Sequence, residues 1–325
     1  MEKPIEILAE PLATFERIYA EQLSTSVSLI DDINKQVTQQ KGKQLRPMLT
    51  MLSAGACLGE ITERKIYLAV ALEMLHNSSL IHDDVVDESA IRRGMPTTNS
   101  RWGNKIAVLF GDFYLSKVMY LLCQYATHEE MAIVNNTAIE MSEGELLQQQ
   151  NSLTTDLRRQ SYFSTIYKKT ASLLSTCCRV GQWSEKGNAV DLKDFGMHFG
   201  MAFQMRDDLL DYLPTSITGK PQGNDILERK MTLPLIYFMD RADEVNRKAT
   251  MDLIDRKDID DILLMQILTQ VERSGALQAT AADIDKEIDL ALESLSPLEA
   301  SPYKEGLVSL TESLRPSVLL GKNIK

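Results

Sequence analysis

Two acidic runs, DDVVD at 83–87 and DDLLD at 207–211, constrain this chain more than any other feature. Each closes an apolar stretch with helical spacing, and each is followed by a proline, Pro96 or Pro214. Residues 62 to 82 read as a helix: Thr62 is a candidate N-cap, and Ile66, Ala69, Val70, Leu72, Leu75, Ser79 and Leu80 recur at threes and fours. Gly94 and Pro96 stop it. Asp83 and Asp87 then share a helix face, and Asp84 is turned about 100° away. Carboxylates at a helix C-terminus meet the negative end of the macrodipole, and each is disfavoured by about 0.3–1 kcal/mol. Crowded carboxylates also raise one another's pKa unless a cation is present. A local rule broken twice marks a functional site.

The second run repeats the first, with Asp207, Asp208 and Asp211 at the same spacing after Phe195, Phe199, Ala202, Phe203 and Met205. Two such helix ends are expected to face one cavity. Magnesium suits them, since it takes one or two carboxylates, keeps several waters and completes its octahedron with substrate phosphates.

Length alone, 325 residues, suggests two domains. Two acidic motifs serving one site argue instead for a single domain over 1–325. With 46 acidic against 35 basic residues and a net charge of −11, general nucleic-acid binding is excluded. No run of 18 apolar residues is present, and the acidic start MEKPIEILAE is not a signal peptide, so a cytoplasmic protein with no transmembrane segment is expected. The four cysteines have no zinc spacing, and the Cys177–Cys178 pair reads as reduced core thiols.

Helices are expected over 5–23, 24–40, 104–126, 129–150 and 156–180, with loops at 184–188, 214–223 and 296–302. The turn KGKQLRP carries Lys43 and Arg46 at a helix start, where two cations can hold a phosphate or simply form a solvated basic loop. YKKTASLL carries Lys168, Lys169 and Thr170, and the 214–230 loop carries Lys220, Asp225, Arg229 and Lys230. No convincing β alternation is present, so the class is all-α with ten helices or more.

GKQLRP, LIHDDVVD with Arg92-Arg93-Gly94, Gly111-Asp112, Lys169-Thr170-Ala171, FQMRDDLLD and GKPQGND with Lys230-Met231-Thr232-Leu233-Pro234 occur in one order. In these motifs the chain resembles the trans-type (all-E) polyprenyl diphosphate synthases, over about residues 40 to 235. The resemblance implies an isoprenoid-synthase-type helical bundle with a deep central cavity, working as a homodimer. It implies that isopentenyl diphosphate is added successively to an allylic diphosphate such as farnesyl diphosphate. Asp83, Asp87 and Asp207, with Asp84, Asp208 and Asp211, would hold three Mg2+. Lys43, Arg46, His76 and Arg93 would bind isopentenyl diphosphate, and Arg92, Lys169, Lys220 and Lys230 the allylic diphosphate. Thr170 and Gln204 would line the reacting end of the tail. Arg229 departs from the family, which often has glycine before the lysine. The C-terminal GKNIK carries cations that could close over the site.

Chain length is expected to be set along the first acidic helix, where one turn of about 5.4 Å matches one isoprene unit. Ser78 and Ser79, one turn before Asp83, are small where short-chain members carry an aromatic. The next floor candidates are Leu75, Met74 and Leu72, with Phe113, Met119 or Leu122 alongside. A long product is expected, octaprenyl as first choice, for a quinone side chain, with transient membrane contact for its release. The competing view is that Ser78 and Ser79 only let helices pack closely. Rival functions are a farnesyl or geranylgeranyl synthase, a His-Asp (HD-type) phosphohydrolase using His82-Asp83, a terpene cyclase and a non-catalytic subunit. The hydrolase leaves the second triplet unexplained, the cyclase would have Asn and Ser or Thr there, and a non-catalytic subunit would have lost one triplet.

Overall fold

A computed structural model describes residues 2–39, 42–187, 190–218, 222–254 and 259–316. Lys220 and the C-terminal GKNIK lie outside the described residues. The chain divides into two compact units, the first comprising 1–138, 176–192 and 297–309, the second 139–175, 193–296 and 310–325.

The first unit opens with α1 (Glu2–Ile7), α2 (Ala9–Leu23), α3 (Ser28–Gln39) and α4 (Leu45–Leu58). The single helix expected over 5–23 is broken at Leu8. Pro11 has no N–H to give the Ile7 carbonyl, so one rung of the ladder is missing. Then come α5 (Glu63–Val86), a hairpin of β1 (Ile91–Arg92) and β2 (Met95–Pro96), α6 (Thr98–Trp102) and α7 (Asn104–Tyr125). Thr62 caps α5 as its sequence indicates, its hydroxyl accepting from the Lys65 N–H at 3.4 Å. The helix packs on α4 and α7. Leu68, Val70, Leu72 and Met74 are fully buried. At about 1.5–3 kcal/mol for each large apolar side chain, that burial outweighs the dipole cost of three aspartates at the end of α5. A core supports the site and overrides its unfavourable local electrostatics.

Among the described residues, α7 is long and apolar enough to cross a membrane, with a mean hydropathy of 1.6. Phe110, Gly111, Tyr114, Val118 and Leu122 on it are buried, while Leu109, Met119 and Tyr120 are exposed.

Helix α8 (His128–Thr154) starts in the first unit and continues into the second at residue 139. The second unit contains α9 (Arg159–Ile166), a π-helical turn (Tyr167–Ala171) and the first residues of α10 (Ser172–Gln182). It continues with α11 (Lys193–Asp211), α12 (Thr215–Thr218), α13 (Asn224–Leu227), α14 (Leu233–Arg241), α15 (Glu244–Ile254), α16 (Asp261–Arg273) and α17 (Ala276–Ser294). Helix α18 (Pro302–Glu312) belongs mostly to the first unit. Helix α11 packs on α17 and on the π turn, with Phe195, Phe199, Ile284 and Ile288 buried. Gly200 is what lets α11 approach, because a Cβ there would lie 2.5 Å from the Ala171 Cα. Apart from the two-residue hairpin strands, the described chain is helix and loop, so the all-α class holds.

Candidate active site

In the first unit, the end of α5 sorts its aspartates. Asp83 and Asp87 are half-buried one turn apart, and Asp84 is only 6 % exposed. Arg92 Nε donates to Asp84 Oδ1 at 2.7 Å. Burial pushes the Asp84 carboxyl up and Arg92 pulls it down. The hairpin makes that pair possible. Arg93 and Gly94 both take positive φ, 51° and 77°, as a tight two-residue hairpin turn requires. Asn99 donates to the Asp84 carbonyl at 3.0 Å and the Ser89 carbonyl at 3.2 Å, fixing the returning loop.

The same turn carries Arg93 to the basic loop before α4. A Cβ on Gly42 would lie 2.8 Å from the Arg93 guanidinium. Arg46 and Arg93 share the half-buried Glu73 as their electrostatic neighbour. Burial, with Arg46, Arg93 and Arg92, holds the His76 imidazole well below its usual range, so it is neutral at pH 7. Arg46, Arg92 and Arg93 therefore form one cationic cluster around the neutral His76, with Lys43 on the adjoining loop. Glu73 was missed from sequence, although its place three residues before His76 puts it on a related face.

His82 turns away from the aspartates. Its Nε2 donates to the Val108 carbonyl at 3.2 Å, and Asp112 lies 3.5 Å away. A Cβ on Gly111 would be 2.2 Å from its ring. His82 thus packs α5 on α7.

Ser78 is buried, and its hydroxyl donates to the Gly111 carbonyl at 2.9 Å, so it faces α7 at a close helix contact. Ser79 is half-buried and bonds back to the His76 carbonyl at 2.9 Å. Leu72 and Met74 are fully buried and Leu75 nearly so. Met119 is exposed, and Leu122 is buried.

In the second unit, the end of α11 sorts its aspartates as α5 does. Asp207 is exposed and Asp208 is 6 % exposed. Tyr162 O–H donates to Asp208 Oδ2 at 2.6 Å and Gln204 Nε2 to Asp208 Oδ1 at 2.8 Å. Thr170 O–H donates to Gln204 Oε1 at 2.8 Å. Asp211 caps α13, accepting the N–H groups of Asn224 at 3.1 Å and Asp225 at 3.0 Å. Burial pushes Asp208 up to about 7. Burial, then Asp208 and Asp211, push Asp225 well above the carboxylate range. Asp225 is thus a fourth carboxylate here, and its only signal in the sequence was its place in QGND.

Lys169 pairs with Glu145 on α8, and Lys168 with Glu143. Gly144 permits this approach, since a Cβ there would be 2.6 Å from the Lys169 amide nitrogen. Lys230 pairs with Glu228 and lies near Asp208 and Asp225. Arg229 takes φ 56°, the left-handed conformation glycine would adopt freely, so the loop keeps that path at a cost of about 1–2 kcal/mol.

The donor set fits a divalent cation. Both helix ends present hard carboxylate oxygens, and in the second unit burial, with repulsion between neighbouring carboxylates, raises Asp211 and Asp225, which a positive charge would relieve. Among the described residues, no three His, Cys, Asp or Glu side chains could hold a metal by themselves. Magnesium, which takes one or two carboxylates and fills its shell with water and phosphate, suits such sites better than a metal needing a full protein cage.

The family model described as Polyprenyl synthetase matches residues 27–271. The all-trans-nonaprenyl-diphosphate synthase (geranyl-diphosphate specific) of Rhodobacter capsulatus is 35% identical over 316 residues, 94% of each chain. The octaprenyl diphosphate synthase of Escherichia coli (strain K12) is 32% identical over 318 residues, covering 95% of this chain and 97% of the other. A crystal structure of polyprenyl synthase from Caulobacter crescentus CB15, complexed with calcium and isoprenyl diphosphate, superposes with a TM-score of 0.90 at 29% identity over 96% of each chain.

Proposed function

Because the chain belongs to the polyprenyl synthetase family and is a trans-prenyltransferase, we propose that it makes an all-trans octaprenyl diphosphate with Mg2+. The observation that carries the reading is the matched design of the two helix ends. In each triplet the middle aspartate is buried and committed to protein donors, and the first is more exposed. The units act as one catalytic domain over 1–325, a reading supported by a family match containing residues of both.

Asp83, Asp87 and Asp207 would hold three Mg2+, which supply charge neutralisation to the departing diphosphate. Arg92, Lys169 and Lys230 bind the allylic diphosphate, with Lys220 beyond the described residues. Each described cation is paired with a carboxylate here (Asp84, Glu145 and Glu228), which holds it until a more highly charged diphosphate competes. Arg46, His76 and Arg93, with Lys43, bind isopentenyl diphosphate; the neutral His76 contributes a directed N–H, and the arginines supply charge. The allylic C1–O bond breaks with its electron pair leaving on diphosphate. The isopentenyl double bond then attacks C1, and the proton lost from C2 passes to the released diphosphate, so no side-chain base is needed. Thr170 and Gln204 present oxygen lone pairs to the allylic cation. Incubation with farnesyl diphosphate, isopentenyl diphosphate and Mg2+ should give octaprenyl diphosphate by mass spectrometry; a product of four units or fewer would overturn the long-chain assignment.

Ser79 is the better floor position, because Ser78 is engaged with the Gly111 carbonyl. Ser79→Phe should shorten the dominant product by several isoprene units at near-normal stability. Ser78→Phe forces a ring into the α5–α7 contact, and overpacking of that kind costs about 1–3 kcal/mol. Product length unchanged in Ser79→Phe would remove this helix as the ruler.

The enzyme works in the cytoplasm as a homodimer. Leu109, Met119, Tyr120 and Cys123 form an exposed stripe on α7, and an apolar stripe of this kind suits a second copy. Burial pushes Cys57 to about 11 and Cys177 to about 12, leaving Cys123 as the exposed thiol. Iodoacetamide should therefore label Cys123 slowly in the dimer and rapidly in Leu109→Asp, which gel filtration should show as a monomer. Fast labelling of the unaltered protein would argue against the dimer.

A further inference from the structure

We propose that Tyr162 is a positioning residue for prenyl transfer, acting through Asp208 to fix which atoms Gln204 presents to the substrate. The inference rests on the proposed place of Thr170 and Gln204 at the reacting end of the tail. All four residues belong to the second unit, and three hydrogen bonds join them in sequence: Tyr162 to Asp208, Gln204 to Asp208, Thr170 to Gln204.

The direction of each bond follows from chemistry. With Asp208 ionised, as it would be beside a bound cation, its carboxylate only accepts, so the end of the Gln204 amide that faces it must be the NH2. Its carbonyl oxygen is then turned to Thr170, whose hydroxyl must donate. A flipped amide would set oxygen against carboxylate oxygen and lose the bond to Asp208, with Thr170 left to accept from the NH2 instead of donating. With the chain intact, the Thr170 hydroxyl hydrogen is committed, and the lone pairs left over on Thr170 and Gln204 are acceptors. An allylic cation is stabilised by such lone pairs and repelled by N–H groups. The amide orientation therefore decides whether this wall helps or hinders ionisation.

Tyr162 anchors the far end. It is 6 % exposed on α9, and its ring meets Phe163 edge-on at 5.4 Å. Its hydroxyl holds the second Asp208 oxygen at 2.6 Å, which stops the carboxylate from turning away from Gln204. Without that bond the carboxylate can rotate, and the amide can present N–H to the cation.

Tyr162→Phe should lower kcat about tenfold, the usual effect of losing an outer partner, with KM for both diphosphates and the half-saturating Mg2+ changed less than about twofold. Gln204→Ala should lower kcat by about a hundredfold, and adding Tyr162→Phe to it should cost nothing more. Wild-type kcat in Tyr162→Phe, additive losses in the double variant, or recovery at raised Mg2+ would each overturn the proposal. Wild-type kcat in Gln204→Ala would instead remove Gln204 from the reacting end, and the inference with it. Should Tyr162→Phe fail to give a cooperative melt, Asp208→Ala at saturating Mg2+ decides. It leaves the Gln204 NH2 without its acceptor and the amide free to turn, so kcat must fall as in Gln204→Ala, and an unchanged kcat overturns the proposal.

Discussion

Asp83→Asn abolishes most of the activity, with kcat lower by about two to three orders of magnitude, and leaves the metal-free protein as stable as before or more so. The two halves of this result have one cause. Asp83 sits in the last turn of α5, where the helix macrodipole disfavours a negative charge by about 0.3–1 kcal/mol. A bound cation and diphosphate would repay that cost. Removing the charge therefore relieves the resting protein and removes the electrostatic support of the leaving group. Asp84→Asn should also lose activity but with a lower melting temperature, because it breaks the ion pair that ties the hairpin to α5. Parallel kinetics and calorimetry on the two variants make the comparison. If Asp83→Asn melts well below the parent while keeping most of its kcat, Asp83 is structural and the metal assignment fails.

The same reasoning explains what could be read in the sequence. Helices α5, α7 and α11 were legible because apolar spacing reports a buried face, and the acidic triplets stood out because they defy that spacing's usual capping. The division within each triplet was not legible. Asp83 and Asp84 are adjacent in sequence, and only the hairpin that brings Arg92 back distinguishes them. Tyr162 stood only as one residue of the helix expected over 156–180, since its partner lies 46 residues away on α11. The π turn at Tyr167–Ala171 has no local signature either. It is shaped by Gly144 and Gly200, which let backbone come close from two other helices. Ser78 and Ser79 looked equivalent as small residues, and only the rotation of α5 against α7 sets Ser78 on the Gly111 carbonyl while Ser79 bonds back within its own helix. Arg229 stands where the family often has glycine, and it takes the left-handed conformation that glycine adopts freely.

Lys65→Met should be the most destabilising single change away from the site, at about 3–5 kcal/mol. Lys65 is 1 % exposed, and its ammonium donates to Glu130 Oε1 at 2.8 Å, the Val180 carbonyl at 2.5 Å and the Trp183 carbonyl at 2.9 Å. Glu130 is fully buried and also accepts from Arg64 at 2.6 Å and from the Thr127 N–H at 2.9 Å. Methionine fills the space, but it strands two carbonyls at the end of α10 and leaves Glu130 with one cation. Burial alone would raise the Glu130 carboxyl, yet hydrogen bonds from Arg64 and Lys65 keep it below the ordinary glutamate range. A depressed carboxyl stabilises the fold above the unfolded glutamate value of about 4.3, and that contribution is lost as pH falls through the folded value. Urea unfolding of the parent should thus show an acid-side loss of stability that is smaller in Lys65→Met, whose stability should already be low at pH 7. A variant within about 1 kcal/mol of the parent at pH 7 would mean that the buried pair does no more than balance its own desolvation.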